Sequence, residues 1–220
     1  MAFDAETMKQ EQQRIAKRVS LDCVFASLSD ITSVAAADIS CNRDSNIGYA
    51  AVMLFTYPAI ERVDQAGIAM EMQAPYVPGF LSFREGPLIE ACLEGLKMKP
   101  DVLICDGQGY AHPRRAGLAC HVGVKTGIPS IGCAKSPLIG THETLPEEAG
   151  SWVDLIHNHE KVGEVVRTRS GVSPLYISPG HQIDFEMSTQ IILSLCRGLR
   201  QPEPIRAAHR YVNQFRLSEK

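Results

Sequence analysis

Two aspartates follow runs of apolar residues in this sequence. Asp38 comes after Val-Ala-Ala-Ala at 34–37, and Asp106 comes after Val-Leu-Ile-Cys at 102–105 and directly before Gly-Gln-Gly. An ionised carboxylate that is removed from water is costly unless a partner compensates it. Either these aspartates end their strands at the protein surface, or they lie together at a site that holds a positively charged group.

A third carboxylate, Glu85, follows Phe83 and Arg84 at the expected start of a helix, where a negative charge is favourable without any function. Three carboxylates from separate segments could also converge on a divalent cation, because magnesium prefers oxygen ligands. A metal ion beside a phosphate can generate hydroxide and stabilise the leaving oxygen. The three acidic side chains are therefore candidates for phosphodiester hydrolysis.

The elements that would position these residues are predicted from apolar periodicity and from turn residues. The predicted helices cover residues 6–29, 85–98, 115–126, 185–199 and 203–215, and the predicted strands cover residues 34–39, 47–57, 61–72, 101–106 and 130–134, with a hairpin over 160–178 that turns near Ser170. Three meandering antiparallel strands are thus followed by alternating helices and parallel strands. This order indicates an α/β fold with a mixed sheet and helices on both faces, and it resembles the ribonuclease H-like fold.

The composition is that of an ordinary globular protein. The 220 residues are 45% hydrophobic and 21% charged, with a net charge of −3, which predicts a single domain over residues 1–220. No apolar run approaches the roughly 18 residues that cross a bilayer, and the charged N-terminus has no apolar signal core, so we expect a cytoplasmic protein without membrane contact. The seven cysteines include no Cys-x-x-Cys pair, which favours reduced thiols over a zinc ribbon or a disulfide framework.

Longer motifs connect these residues to a known family. Residues 75–85 read Pro-Tyr-Val-Pro-Gly-Phe-Leu-Ser-Phe-Arg-Glu, which resembles the signature of the endonuclease V family, enzymes that act on deaminated bases. The signature is joined in the family's order by Asp38-Ile39-Ser40, by residues 106–114, by Gly-Cys-Ala-Lys-Ser at 132–136 and by Ser-Pro-Gly-His at 178–181. The resemblance covers roughly residues 30–215, so we interpret the chain as similar to that family along most of its length.

The resemblance implies a ribonuclease H-like enzyme that uses magnesium, or manganese in its place, to nick DNA one nucleotide beyond the 3′ side of a deoxyinosine. It implies that Asp38, Glu85 and Asp106 are catalytic carboxylates that bind the metal. Lys135 would contact the phosphate near the scissile bond, although a surface lysine is the alternative interpretation. His209 would be a fourth catalytic group near the metal.

The same resemblance implies the substrate contacts. Residues 75–79 would form a wedge, called the wedge loop below, in which Tyr76 fills the gap left by an extruded base. Without the flanking motif, Tyr76 would be interpreted as a core aromatic residue. The substrate-binding residues implied by the family are Pro75, Tyr76, Val77, Pro78, Gly79, Gly107, Gly109, His112 and Lys135.

Two histidines keep alternative interpretations. His112 either meets the substrate or is a loop histidine with its hydrogen bonds satisfied, and His181 either packs a loop or takes part in the chemistry. The charge distribution is uneven, because residues 1–160 sum to −7 and residues 161–220 to +4. Binding to a phosphate backbone would therefore depend on local contacts, for which Lys135 and Arg114 are candidates.

Three functions remain open from the sequence. The first is a monomeric nuclease for DNA that contains deaminated bases. The second is an inosine-specific ribonuclease, or a broader structure-specific nuclease, of the same fold. The third, from a different class, is a catalytically silent nucleic-acid-binding module, which the presence of Asp38, Glu85 and Asp106 disfavours.

Overall fold

One mixed sheet organises the chain in a computed structural model that describes residues 4–42 and 46–219. Its strands are Ser33–Cys41 (β1), Ile47–Thr56 (β2), Arg62–Glu71 (β3), Val102–Cys105 (β4), Ser130–Ala134 (β5), Trp152–His157 (β6), Glu160–Val166 (β7) and Leu175–His181 (β8). They lie in the order β3-β2-β1-β4-β5-β8-β7-β6. β1 pairs with β4 and β4 with β5 in parallel, and the other neighbours are antiparallel.

Helices cover both faces of this sheet, as predicted. They are Ala5–Ala16 (α1), Leu81–Glu94 (α2), Leu118–Thr126 (α3), Phe185–Cys196 (α4) and Glu203–Ser218 (α5). The side chains of β1 alternate between the two cores, so Val34 and Ala36 pack with residues of α4 and α5, whereas Ala35 and Ala37 pack with residues of α2 and α3. Burial on both faces explains why β1 is almost wholly apolar before Asp38. The predicted ribonuclease H-like fold class is therefore confirmed.

The predicted N-terminal helix over 6–29 is too long, because α1 ends at Ala16. Beyond it the chain forms turns and bends and a short 3-10 helix at Leu28–Asp30, and the backbone N–H of Gln182 donates to the carbonyl of Ser20 at 2.7 Å. Within this stretch the Ser20 hydroxyl accepts from the backbone N–H of Asp22 at 3.1 Å. Serine and aspartate side chains compete with helical hydrogen bonds in this way, which explains the early end.

The hairpin predicted over 160–178 is present as β7 and β8, and the chain between them passes Ser170. The prediction did not include β6, which pairs with β7 across a tight turn. At that turn Asn158 and His159 have φ angles of 54° and 63°. Two consecutive positive φ angles are typical of the hairpin turns that follow the twist of the strands. The other predicted elements differ from the observed ones mainly at their ends, and α2 begins at Leu81, one turn before Glu85.

Two further sequence predictions concern the environment of the protein. All seven cysteines are free thiols, and five of them are buried, as expected of small apolar core residues. Over the residues that the structure describes, there is no helix with the length and apolar character that crossing a membrane requires.

The loop after β4 packs against β8 so closely that it requires glycine. A Cβ atom on Gly109 would overlap the carbonyl oxygen of Pro179 and lie 2.8 Å from that of Ser178. In contrast, a Cβ atom on Gly107 would meet only the Leu118 side chain, at 3.4 Å. The structure thus gives Gly109 a packing requirement that Gly107 does not have.

We expect Gly109→Ala to lower the free energy of unfolding by about 1–3 kcal/mol, because backbone must shift to admit the methyl group. Gly107→Ala, two residues away, should stay within about 0.5 kcal/mol of the parent chain. Urea unfolding of both variants measures the difference. Equal stability of the two variants would contradict the close packing of Gly109 against Pro179.

Candidate active site

Strand pairing brings Asp38 and Asp106 to one edge of the sheet. β1 and β4 run parallel with Ala37 opposite Cys105, so the next residues along each strand are neighbours. Asp38 lies within β1 and is only 8% exposed. Alternation of side chains turns it toward the face that α5 covers. The structure therefore excludes the alternative in which Asp38 simply ends its strand at the surface.

Glu85 joins this pair from α2, on the opposite face of the sheet. Burial and the negative charges of Asp38 and Asp106 together raise its pKa to about 8, against the opposing charge of Arg84. Burial also raises the pKa of Asp38, as does the charge of Asp106. The three residues, called the carboxylate cluster below, are therefore close enough to repel one another.

Two basic side chains each engage one member of the carboxylate cluster. The Lys135 ammonium forms an ion pair with Asp106. The Nδ1–H of His209, on α5, donates to a carboxylate oxygen of Asp38 at 2.7 Å. The side-chain amide of Asn213 lies 3.3 Å from the other ring nitrogen of His209 and donates to the His209 carbonyl at 2.8 Å. The histidine ring is thus held between the carboxylate and this amide.

The chemistry of the cluster fits a hard divalent cation, because it offers carboxylate oxygens that are partly removed from water and carry excess negative charge. A cation would offset the repulsion that raises the pKa of Glu85. Within residues 4–42 and 46–219, however, no three His, Cys, Asp or Glu side chains are arranged to ligate one ion at the same time. Lys135 contacts one carboxylate oxygen of Asp106, and His209 contacts one carboxylate oxygen of Asp38.

The wedge loop lies beside the cluster and is held at both ends. An Arg84 guanidinium N–H donates to the carbonyl of Ala74 at 2.9 Å, just before the loop. At the other end an Arg114 guanidinium N–H donates to the carbonyl of Gly79 at 2.7 Å. Between these anchors Tyr76 is 69% exposed, which excludes the alternative of a core aromatic residue.

A pocket of about 310 Å³ opens between the wedge loop and the carboxylate cluster. Its lining comes from the wedge loop, from the turn after β4 and from the segment after β5, including Tyr76, Asp106, Gln108, Lys135 and Leu138. Gln108 is fixed at its amide nitrogen, which donates to the Ser136 carbonyl at 2.9 Å. Its amide oxygen is buried and has no hydrogen-bond partner among the residues that the structure describes. The lining of the pocket therefore combines the Gln108 side chain, a lysine and an exposed aromatic ring.

Three residues that were predicted to contact the substrate or the phosphate do not line this pocket and pack against the protein instead. They are His112, Arg114 and Gly109. His112 is 3% exposed, and its Nδ1 accepts from the backbone N–H of Arg114 at 3.2 Å. The proton must then be on Nε2, which donates to the Gly79 carbonyl at 3.0 Å. Arg114 lies over the Phe80 ring, 4.6 Å from its centroid, rather than facing outward. Gly109 is buried against Pro179, whereas Gly107 lines the pocket.

His181 has a packing role in the structure, and Asn213 is a site residue that the sequence did not reveal. The Nδ1 of His181 accepts from the backbone N–H of Ser20 at 3.2 Å, a contact that fastens the segment after α1 to the end of β8. Sequence reasoning did not identify Asn213, although its position four residues after His209 on a predicted helix places both on one face. That spacing was the available signal.

Comparison with known proteins identifies relatives of the whole chain. The sequence model of the Endonuclease V family matches residues 13–210. An Endonuclease V from Dehalococcoides mccartyi is 47% identical over 198 residues, which cover 90% of this chain and 87% of that protein. A crystal structure of an Endonuclease V from Streptomyces avermitilis has a TM-score of 0.93 and 35% identity, and covers 98% of this chain and 94% of its own. A Ciona intestinalis Endonuclease V, in complex with a DNA that contains an inosine followed by a ribo-adenosine, has a TM-score of 0.88 and 25% identity over 98% of both chains.

The environment of His112 predicts a dependence of stability on pH. Burial lowers the pKa of His112 to about 4, from an ordinary value of 6.5. As the pH falls from 6.5 toward 4, the unfolded chain takes up this proton before the folded one, so the free energy of unfolding decreases. In His112→Gln, which keeps an N–H donor, that decrease should be smaller by roughly 3 kcal/mol.

Urea unfolding between pH 4 and 7 measures this difference. His142→Gln, at an exposed position, is the matched control for replacing a histidine by glutamine. Parallel curves for the parent chain and His112→Gln would contradict a neutral, buried His112 in the folded protein.

Proposed function

The chain belongs to the endonuclease V family and is a deoxyribonuclease, and on that premise we propose that it recognises deaminated bases, deoxyinosine above all, and hydrolyses the phosphodiester bond one nucleotide 3′ of the lesion. The observation that carries this proposal is the placement of Asp38 and Asp106 on neighbouring strand positions, with Glu85 near them, beside a pocket bordered by the wedge loop. A cluster that needs a cation, next to a cavity bordered by an exposed aromatic ring, suits a metal-assisted nuclease that extrudes a base.

Asp38, Glu85 and Asp106 would hold magnesium, with manganese as a substitute. When bound, the ion would supply activation of water and stabilisation of the leaving oxygen. His209 would keep the Asp38 carboxylate in one orientation through its Nδ1–H, and Asn213 would keep the ring in place. These contacts support a role for His209 at the edge of the metal site.

Lys135 would contact the phosphate near the scissile bond. Its ammonium is paired with Asp106 and is partly exposed, so it lies at the boundary between the carboxylate cluster and the pocket. Negative charge grows on the phosphate oxygens during hydrolysis, and a fixed ammonium stabilises that charge more in the transition state than in the ground state. Lys135 would contact the phosphate from its position beside Asp106.

The lesion would be recognised at the side of the pocket that the wedge loop forms. Tyr76 would stack on the bases next to the gap left by the extruded one, and Pro75 and Pro78 stiffen the loop around it. Gln108 lines the same pocket and would be a neighbour of a base that enters it. The Ciona relative is described with inosine-containing DNA, which supports deoxyinosine as the substrate. We further propose that the enzyme acts as a cytoplasmic monomer.

A nicking assay tests the proposal. With magnesium, the parent chain should cut a duplex that carries one deoxyinosine and leave the matched undamaged duplex intact, and excess chelator should stop the reaction. Asp38→Asn and Asp106→Asn should abolish cleavage while DNA binding is retained, because each removes a negative ligand of nearly the same shape. Asp22→Asn, at an exposed position, is the control.

The same assay separates the alternatives. Faster cleavage of inosine-containing RNA than of DNA would favour the ribonuclease, and binding without cleavage by the parent chain would indicate a silent module. Parental rates in Asp106→Asn, or full activity in chelator, would exclude the metal-site assignment.

Replacing Lys135 by alanine should weaken DNA binding and reduce the slope of log affinity against log salt by about one unit, since one phosphate contact is lost. The cleavage rate at saturating DNA should also fall, because the lost charge acts in the transition state. Lys97→Ala, at the opposite end of β4, is the matched control and should change neither quantity. If Lys135→Ala behaves like Lys97→Ala in both measurements, Lys135 is an ordinary surface lysine.

A further inference from the structure

Three side chains from outside the wedge loop converge on one carbonyl oxygen at its end. The Gly79 carbonyl accepts from Gln12 Nε2 at 2.9 Å, from His112 Nε2 at 3.0 Å and from Arg114 Nη2 at 2.7 Å. Gly79 has a φ angle of 79°, in the region that favours glycine. Together these contacts fix the orientation of the peptide group between Gly79 and Phe80, where the loop meets the start of α2.

Gln12 is the member of this group that no motif includes. It belongs to α1 and its exposed fraction is 0%. Its amide oxygen accepts from Arg114 Nε, and because a guanidinium can only donate, the amide nitrogen must be the atom that faces Gly79. Gln12, Arg114 and Gly79 therefore form a closed set of hydrogen bonds in which the amide group of Gln12 has a partner for both of its atoms.

The helix that carries Gln12 is itself held in place independently of the wedge loop. Ile15, one turn further along α1, packs against Ala116 and Val124. Arg18 donates to the carbonyl of Val124 at 3.4 Å. α1 is thus fixed to α3 and to the segment before it, and it presents the Gln12 amide from a rigid support.

We infer that Gln12 is a positioning residue for lesion recognition, which holds the wedge loop in the direction that lets Tyr76 enter the duplex. The inference rests on the proposed function of the wedge loop. Without Gln12, Arg114 Nε loses this acceptor, which is costly for a partly buried group, and the Gly79 carbonyl keeps two of its three donors. The loop would then occupy several orientations, and DNA binding would have to select the competent one.

The test compares Gln12→Met with Gln13→Met. The first change keeps the length of a buried side chain and removes its hydrogen bonds, whereas the second makes the same chemical change at an exposed neighbour on the same helix. For a deoxyinosine duplex, Gln12→Met should raise the half-saturating DNA concentration about tenfold, which corresponds to the loss of a buried hydrogen bond. The cleavage rate at saturating DNA should change less than about twofold, and Gln13→Met should match the parent chain in both.

A second measurement does not depend on activity. Amide hydrogen exchange without DNA should be faster over residues 76–81 in Gln12→Met than in Gln13→Met. Gln12→Glu, which keeps an acceptor for Arg114 but turns a carboxylate oxygen toward the Gly79 carbonyl, should show the same increase and serves if Gln12→Met does not fold.

The outcomes separate the two hypotheses. If the parent chain does not cut deoxyinosine DNA, the proposed function fails, and the exchange experiment still decides whether Gln12 positions the loop. Equal exchange over residues 76–81 in all variants would overturn the inference. So would a Gln12→Met enzyme that loses saturating rate and melting temperature at an unchanged half-saturating concentration, because that pattern indicates a purely structural residue.

Discussion

Repulsion between the carboxylates of Asp38, Glu85 and Asp106 is the constraint on which the rest of the structure depends. The parallel pairing of β1 with β4 brings the two aspartates side by side, and α2 adds the glutamate from the other face. Like charges this close destabilise the folded chain unless they are protonated, paired or neutralised by a cation. The structure uses pairing for two of them, through His209 and Lys135.

The backbone is closely packed next to the carboxylate cluster. The turn after β4 must hold Asp106 at the sheet edge and still leave room for a pocket, so its backbone lies directly on that of β8 at Gly109. Strands β5 to β8 extend the sheet on the side of β4 opposite β1, and β8 contacts this turn. The apolar cores on the two faces keep the strands in register, and register decides which side chains meet at the edge.

The sequence predicted much of this arrangement. The apolar runs before Asp38 and Asp106 indicated the strands, and the long motif around Glu85 indicated its neighbours. The end of α1 at Ala16 was missed because side-chain competition by Ser20 is a local effect that apolar periodicity does not reveal. The contact of Gln12 with Gly79 was beyond prediction, since it joins residues 67 positions apart that belong to no common pattern.

The position of Arg84 directly before Glu85 has a consequence for how the protein would discriminate between DNA substrates. Arg84 holds the start of the wedge loop through the Ala74 carbonyl, and Glu85 belongs to the carboxylate cluster. Both residues lie in the first turns of α2, so a displacement of the loop that strains the first contact would act on the helix that carries the second. Mispositioned DNA would then disturb the reacting centre as well as its own binding. On the proposed function, selectivity would therefore be exerted twice on the same substrate, once when the duplex is bound and again when the bond is cut.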